Sequence, residues 1–274
     1  MIKVESFKPE RDFSVDDKMT LTEIRRKYEE NEAITGHVHG FDVKARIIFV
    51  SLGNGIEGIL SFDEVCMEEL KQIRGLPAQV KSITRKNSIR VKIVGIEDDI
   101  IYVSRKANLL DVFNKLEKLG TAFYNATFEN ASKHNVFCDI GEGVIAYCSV
   151  EELTRVFIDD ARNWVKIGNH VRVRTTKFSS SENLIWCSIK KASMGNYKKI
   201  KPKTKLMAKV GKSIEDENGI VTGYFVEITP AIAGIADICE NYTLEKMPKQ
   251  GEMVRCYVRS VDSEKHRIKL YIEN

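Results

Sequence analysis

Three segments of this chain align without a gap, each 88 residues after the one before, and this spacing limits the possible folds more than any other feature. They are Phe49-Val-Ser-Leu-Gly-Asn-Gly-Ile-Glu-Gly-Ile-Leu-Ser61, Phe137-Cys-Asp-Ile-Gly-Glu-Gly-Val-Ile-Ala-Tyr-Cys-Ser149 and Phe225-Val-Glu-Ile-Thr-Pro-Ala-Ile-Ala-Gly-Ile-Ala-Asp237. Phe49, Phe137 and Phe225 lead the three; Leu52, Ile140 and Ile228 follow, then Ile56, Val144 and Ile232, and Gly58, Ala146 and Gly234 share one small-residue position. A period of this length exceeds any solenoid unit, so each copy reads as a small domain of its own. Units of about 80 residues bury enough surface to be stable independently.

Inside a copy, apolar alternation is broken by turn residues, the mark of half-buried strands. Ile34–Val38 and Ala45–Leu52 read as strands, Gly53-Asn-Gly55 as a tight turn, because glycine and asparagine tolerate positive φ, and Ile56–Leu60 as the return. Ile89–Val94 and Ile100–Ser104 form a second hairpin around Glu97-Asp-Asp99, repeated in the last copy as Met253–Val261 and Arg267–Ile272. Ser61-Phe-Asp-Glu64 and Ser149-Val-Glu-Glu152 have the form of capping boxes, which places a short helix between the third and fourth strands. Five strands with that helix are the plan of a small Greek-key barrel, the OB-fold. The expected architecture is all-β: three tandem five-stranded OB barrels with short linker helices.

The expected boundaries follow. Residues 1–32 are a polar tail, loose through residue 19, and a lead-in helix opened by the capping box Thr20-Leu-Thr-Glu23. Residues 33–107 are the first barrel. Residues 108–192 are a linker helix, Asn108 to a stop at Gly120, and the second barrel. Residues 193–274 are a basic linker, carrying Lys198, Lys199, Lys201, Lys203 and Lys205, and the third barrel.

Charge separates the segments. The net charge of +4 is the sum of unequal parts: 7 basic against 9 acidic groups in residues 1–32, then 11 against 9, 11 against 10 and 14 against 11 in the three copies. The third copy is the most basic. None of the six cysteines forms a C-x-x-C pair, so they read as buried, reduced thiols. His37 and His39 share a strand face but have no third ligand near in sequence, so no metal is expected. No apolar run reaches the length of a membrane span, and the first residues lack the apolar stretch of a secretory signal; the expected compartment is the cytoplasm.

Gly251-Glu-x-Val254-x-x-x-Val258-x-x-Val261-Asp262-x-Glu264-x-x-Arg267-Ile-Lys-Leu270 is similar to the closing half of the ribosomal protein S-one RNA-binding domain. Gly36-x-Val38 with Phe49–Ser61 resembles its opening half. Val103-Ser-Arg-Lys-Ala107 resembles the family's exit sequence, and the helix at 21–32 leading into Gly36 resembles the approach to the first repeat of bacterial S-one proteins. The resemblance covers residues 21–274 and implies an OB barrel that binds single-stranded RNA, mRNA in a translation-linked protein, with the ribosomal small subunit as a further partner.

The family presents two aromatics on the second strand, a histidine ending the third, and an Asp and Arg in the last hairpin. Its second aromatic matches Phe49, Phe137 and Phe225; its first falls on Arg46, His134 and Thr222; its histidine falls on Ser61, Ser149 and Asp237, so no copy keeps it. The resemblance therefore implies RNA contact by Phe225, Asp262, Arg267 and Lys269 in copy three, with Tyr224 adding a ring if a bulge turns it outward. In copy two it implies His134 and Phe137, and strand alternation puts Arg172 and Arg174 on one face as a phosphate track, with Lys177 nearby. Copy one keeps Phe49 with Arg46 beside it and reads as an attachment module. Two alternatives stay open: each Phe points into its barrel, and Asp262 and Arg267 form only a surface ion pair.

No catalytic constellation emerges. Gly211-Lys-Ser213 lacks the earlier glycine of a phosphate loop, since position 206 is Leu206, and neither H-E-x-x-H nor G-x-S-x-G occurs. The expectation is a binding protein without cofactor. The competing class is an interaction scaffold, or an RNA-binding regulator, whose degenerate barrels dock on a ribosome or polymerase.

Overall fold

A computed structural model describes residues 7–67, 76–84, 86, 88–193, 195, 197–238 and 247–273. Cys239 and the segment expected to hold a helix between the third and fourth strands of the last copy lie outside the described residues.

A helix, Leu21–Glu29, precedes the strands β1 (Ala33–Asp42), β2 (Ile47–Gly53), β3 (Ile56–Ser61), β4 (Ile89–Glu97) and β5 (Ile100–Ser104). The helix Arg105–Leu119 leads to β6 (Phe123–Ala131), β7 (Asn135–Gly141), β8 (Val144–Ser149), β9 (His170–Ser179) and β10 (Leu184–Ser188). The last five strands are β11 (Lys205–Glu215), β12 (Val221–Thr229), β13 (Ile232–Asp237), β14 (Met253–Asp262) and β15 (Arg267–Ile272). They close into three barrels ordered β1-β2-β3-β5-β4, β6-β7-β8-β10-β9 and β11-β12-β13-β15-β14. In the first and third the third and fifth strands run parallel and the other ladders antiparallel. This is the OB plan three times over.

Alternation builds the cores. Ile48, Val50 and Leu52 of β2 point inward beside Leu60, Val91, Ile101 and Val103, while Ile47, Phe49 and Ser51 stay half-buried. The third barrel fills its interior with Ala208, Val210, Val226, Cys256, Val258 and Leu270. Each buried Val, Leu or Ile stabilises its barrel by about 1.5–3 kcal/mol. The Gly53-Asn54-Gly55 turn has φ of 101°, 51° and 73°, the left-handed conformations expected of that hairpin.

The chain divides into two compact units, with the middle barrel contributing strands to both. One holds residues 1–126, 139–146 and 177–185; the other holds 127–138, 147–176 and 186–274.

Within the first unit, the expectation of a loose tail fails for residues 7–19. Phe7 and Met19 are buried, and Glu10 is 0 % exposed. Arg105 donates two hydrogen bonds to the Glu10 carboxylate at 2.9 and 2.8 Å, Lys86 donates one at 2.8 Å, and the Arg90 N–H another at 2.9 Å. The Glu10 N–H donates to Asp139 at 2.7 Å, and Arg90 reaches Glu142 at 2.9 Å while lying 4.5 Å over the Phe13 ring. The polarity that made the segment read as a tail is the polarity of this cluster. Burial alone would raise the Glu10 pKa; the Arg105 and Lys86 charges outweigh it and take the carboxyl down to about 2.

The helix ends are mixed. Thr20 and Glu23 form the full reciprocal box. Ser61 instead caps a 3-10 turn, Phe62–Glu64, by accepting from the Asp63 N–H, and Ser149 makes no capping bond from its side chain; the helices that follow are displaced to Leu76–Ile83 or cut to Val150–Leu153. The linker helix starts at Arg105, three residues before the expected Asn108, because Ser104 caps it by accepting from the Ala107 N–H; Gly120 ends it at φ 68°. Cys66, Cys138, Cys148, Cys187 and Cys256 are buried thiols in no disulfide. Hydrogen bonding to Cys138 and Cys148, with burial, pushes the Cys187 thiol well above its usual range.

Candidate nucleic-acid interface

The second, third and fifth strands of each barrel lie side by side, so alternation aligns their outward residues in rows. In the first barrel Phe49 pairs with Ile59 and Ile59 with Tyr102. In the third, Phe225 pairs with Ile235 and Ile235 with Lys269. The 88-residue offset carries Phe49 and Ile59 onto Phe137 and Tyr147 of the middle barrel, whose rings meet edge to face at 5.2 Å between centroids. Matching Ser104 with Ser188, both helix caps, carries Tyr102 onto Trp186. Ile185 and Cys187 are buried, so Trp186 between them faces outward. The rows are therefore Phe–Ile–Tyr, Phe–Tyr–Trp and Phe–Ile–Lys.

The leading phenylalanines point away from the cores. Phe225 is 39 % exposed, its neighbour Ile235 40 %, and Phe49 and Phe137 are half-buried on the barrel surfaces. Tyr224 is a correction: it is 5 % exposed, sits in the core of the third barrel and donates from its hydroxyl to the Met247 Sδ at 3.6 Å. Bulges do interrupt this ladder, at Val210/Ser213 and at Glu227/Thr229, but Tyr224 pairs with Ser213 and Ala236 on the inward side. Thus adjacent residues face opposite ways, and Phe225 alone of the pair reaches the surface.

Charge around the rows differs between barrels. In the first, Arg46 occupies a left-handed turn (φ 57°), lies 5.7 Å over the Phe62 ring and binds Asp63 at 3.1 Å. His39 stands 6.2 Å from Phe49, ring to ring, and its Nε2 lies 2.9 Å from Glu57. Arg46 and His39 beside this row thus each face a carboxylate. In the middle barrel Arg172 and Arg174 are exposed and alternate with buried Val173 and Thr175; Lys177 follows on the same strand, and His134 is exposed just before β7. In the third, Lys269 lies in the row and Arg267 is exposed one outward position before it. Asp262 is in register with Arg267 across the hairpin, while its carboxylate accepts from the Glu264 and Lys265 N–H groups at 3.2 and 2.9 Å, which closes the turn. A second outward row in this barrel aligns Asp237, Tyr271, Tyr257 and Lys205, with Arg259 lying 5.4 Å over the Tyr271 ring.

Tyr102, Tyr147, Trp186, Tyr257 and Tyr271 were absent from the expected site. The signal was available in alternation: once Ile101 and Val103 are core residues, Tyr102 between them faces out, and the same holds for Trp186. The arrangement offers flat apolar rings with cations alongside, which suits unpaired bases and their phosphates. Among the described residues no group of three His, Cys, Asp or Glu side chains is placed to hold a metal ion, and no helix is long and apolar enough to cross a membrane.

No protein-family profile matches the chain, and no curated protein matches it. Solved structures do. A multidomain protein with nucleic acid binding domains from Streptococcus pneumoniae is 14% identical over 89% of this chain and 74% of its own, at a TM-score of 0.31. A chain of the a/eIF2alpha–aDim2p–rRNA complex from Pyrococcus horikoshii is 19% identical over 28% of this chain and 47% of its own, at a TM-score of 0.25.

Proposed function

We propose that this protein binds single-stranded RNA as a translation-linked factor built like ribosomal protein S-one, with mRNA as the ligand and without catalysis of its own. The observation that carries the reading is the outward row on the second, third and fifth strands of each barrel, apolar and aromatic, with cations beside it in the middle and third barrels. Stacking on such rings is tolerant of sequence, and lysine and arginine supply an affinity that falls with salt. The middle and third barrels are the RNA-contacting pair.

The test is fluorescence anisotropy with an unstructured oligoribonucleotide of about 20 nucleotides at about 50 and 200 mM salt. Micromolar or tighter binding that weakens at the higher salt is expected. Absence of binding at the lower salt overturns the reading.

One observation favours a second role for the first barrel. Arg46 and His39 are each set against a carboxylate, Asp63 and Glu57, so phosphates meet negative charge there. That barrel fits attachment to a protein, the ribosomal small subunit in the S-one analogy. Co-sedimentation of the full chain with ribosomes that survives nuclease treatment supports attachment; release by nuclease leaves RNA as the only link.

A further inference from the structure

We propose that the middle barrel carries the principal base-stacking platform of the chain, formed by Phe137, Tyr147 and Trp186, and that Trp186 on β10 is its central base contact in bound single-stranded RNA. This rests on the RNA-binding reading above and names the residues that would dominate it.

Three observations converge. First, only this barrel has a ring at all three positions of the row; the first has an isoleucine in the middle and the third ends in Lys269. Phe137 and Tyr147 are already in edge-to-face contact, which fixes their planes before any ligand arrives. Second, Trp186 is half-exposed, whereas Trp164, the only other tryptophan, is buried with Lys209 4.4 Å over its ring. Trp186 therefore carries the largest ring in the outward rows, half-buried like Phe137 and Tyr147. Third, charge is complementary. β9 closes the barrel beside β10, and its exposed Arg172 and Arg174 are two residues apart, about 7 Å along a strand. That places two cations on the strand next to Trp186, where an extended RNA backbone would present successive phosphates.

The occupant this chemistry fits is an unpaired base held by its neighbours in a strand. A ring platform stacks any base, and the arginines add affinity only when phosphates continue on either side.

Intrinsic tryptophan emission and anisotropy, recorded together on the full chain, separate this proposal from the reading it rests on. Titration with an unstructured oligoribonucleotide should quench the emission in step with the anisotropy rise. Trp186→Phe, which keeps a smaller ring, should bind more weakly than wild type but more tightly than Trp186→Ala and should lose the quench, and Trp186→Ala should weaken binding about 5- to 150-fold, the range for one lost stacking contact. Circular dichroism identifies any variant that fails to fold, and the wild-type quench and the Trp186→Phe comparison then still decide. Binding with no quench, or a quench that persists in Trp186→Phe, overturns the platform while leaving RNA binding intact. No anisotropy change overturns the RNA reading itself. Saturation by AMP as tight as by the oligomer also overturns the proposal, by making the ligand a free nucleotide.

Discussion

Glu10 tests whether the segment before the first barrel is part of the fold. Its carboxylate is fully buried and takes four hydrogen bonds, two from Arg105, one from Lys86 and one from the Arg90 N–H. Glu10→Gln keeps the shape and removes the charge, leaving the guanidinium of Arg105 buried without its counter-ion. Breaking one member of a buried pair costs about 3–5 kcal/mol. A second route gives a similar figure. The carboxyl falls from 4.5 to about 2 on folding, and that difference corresponds to about 3 kcal/mol favouring the folded state. Because the folded pKa is the lower one, this stabilisation is complete above about 4.5, shrinks as pH falls and is gone below about 2. Urea unfolding followed by circular dichroism should show the variant less stable by several kcal/mol at pH 7, with the gap closing as both proteins are taken toward pH 2. A variant within about 0.5 kcal/mol of wild type at pH 7, the range of ordinary surface changes, refutes the buried-pair account. A gap that stays constant down to pH 2 refutes the electrostatic part.

Other outcomes follow from the same geometry. Gly143→Ala places a Cβ 2.4 Å from Arg105 Nη2 and 2.8 Å from Glu10 Oε2 at φ +92°, so it should destabilise the first unit by more than about 1 kcal/mol in the same urea assay. Phe225→Ala should weaken RNA binding by about 1–3 kcal/mol while the buried Tyr224→Phe leaves it unchanged; equal effects in an anisotropy titration would contradict their opposite facing. Arg172→Gln and Arg174→Gln should each flatten the salt dependence of log K by about 0.7, read from titrations at several salt concentrations; an unchanged slope removes them from the phosphate track.

The barrels were legible because their cores obey a strict period of two. Ile48, Val50 and Leu52 alternate with Ile47, Phe49 and Ser51, and the same beat recurs 88 residues on, so the strand plan follows from spacing, while the facing of Phe49, Phe137 and Phe225, open on the sequence alone, is read from their exposure. Tyr224 shows where an argument by spacing has to be carried through. Phe225 and Tyr224 are adjacent on one strand, so both can face outward only if that strand itself bulges there, and the bulge beside them, Val210/Ser213, puts its extra residue on the partner strand β11. The segment around Glu10 was not legible for a different reason. Its partners, Lys86, Arg90, Arg105 and Asp139, lie between 76 and 129 residues away, and nothing periodic links a buried carboxylate to cations at such separations.

The position shared by Tyr102, Trp186 and Lys269 explains how one plan supports different surfaces. The residues just before it, Ile101, Ile185 and Ile268, are the same in all three copies because each fills a barrel interior, where a changed volume would cost stability. The outward residue at this one position carries no such constraint and differs in every copy, whereas the outward Phe49, Phe137 and Phe225 do not. The three rows differ accordingly: two rings in the first barrel, three rings with arginines on the next strand in the middle, and a phenylalanine with a lysine in the third. The three rows are therefore not equivalent surfaces. Separate loss of RNA affinity in Trp186→Ala and Phe225→Ala, without loss in Tyr102→Ala, is the pattern that this difference demands, and equal losses in all three would show the rows to be interchangeable.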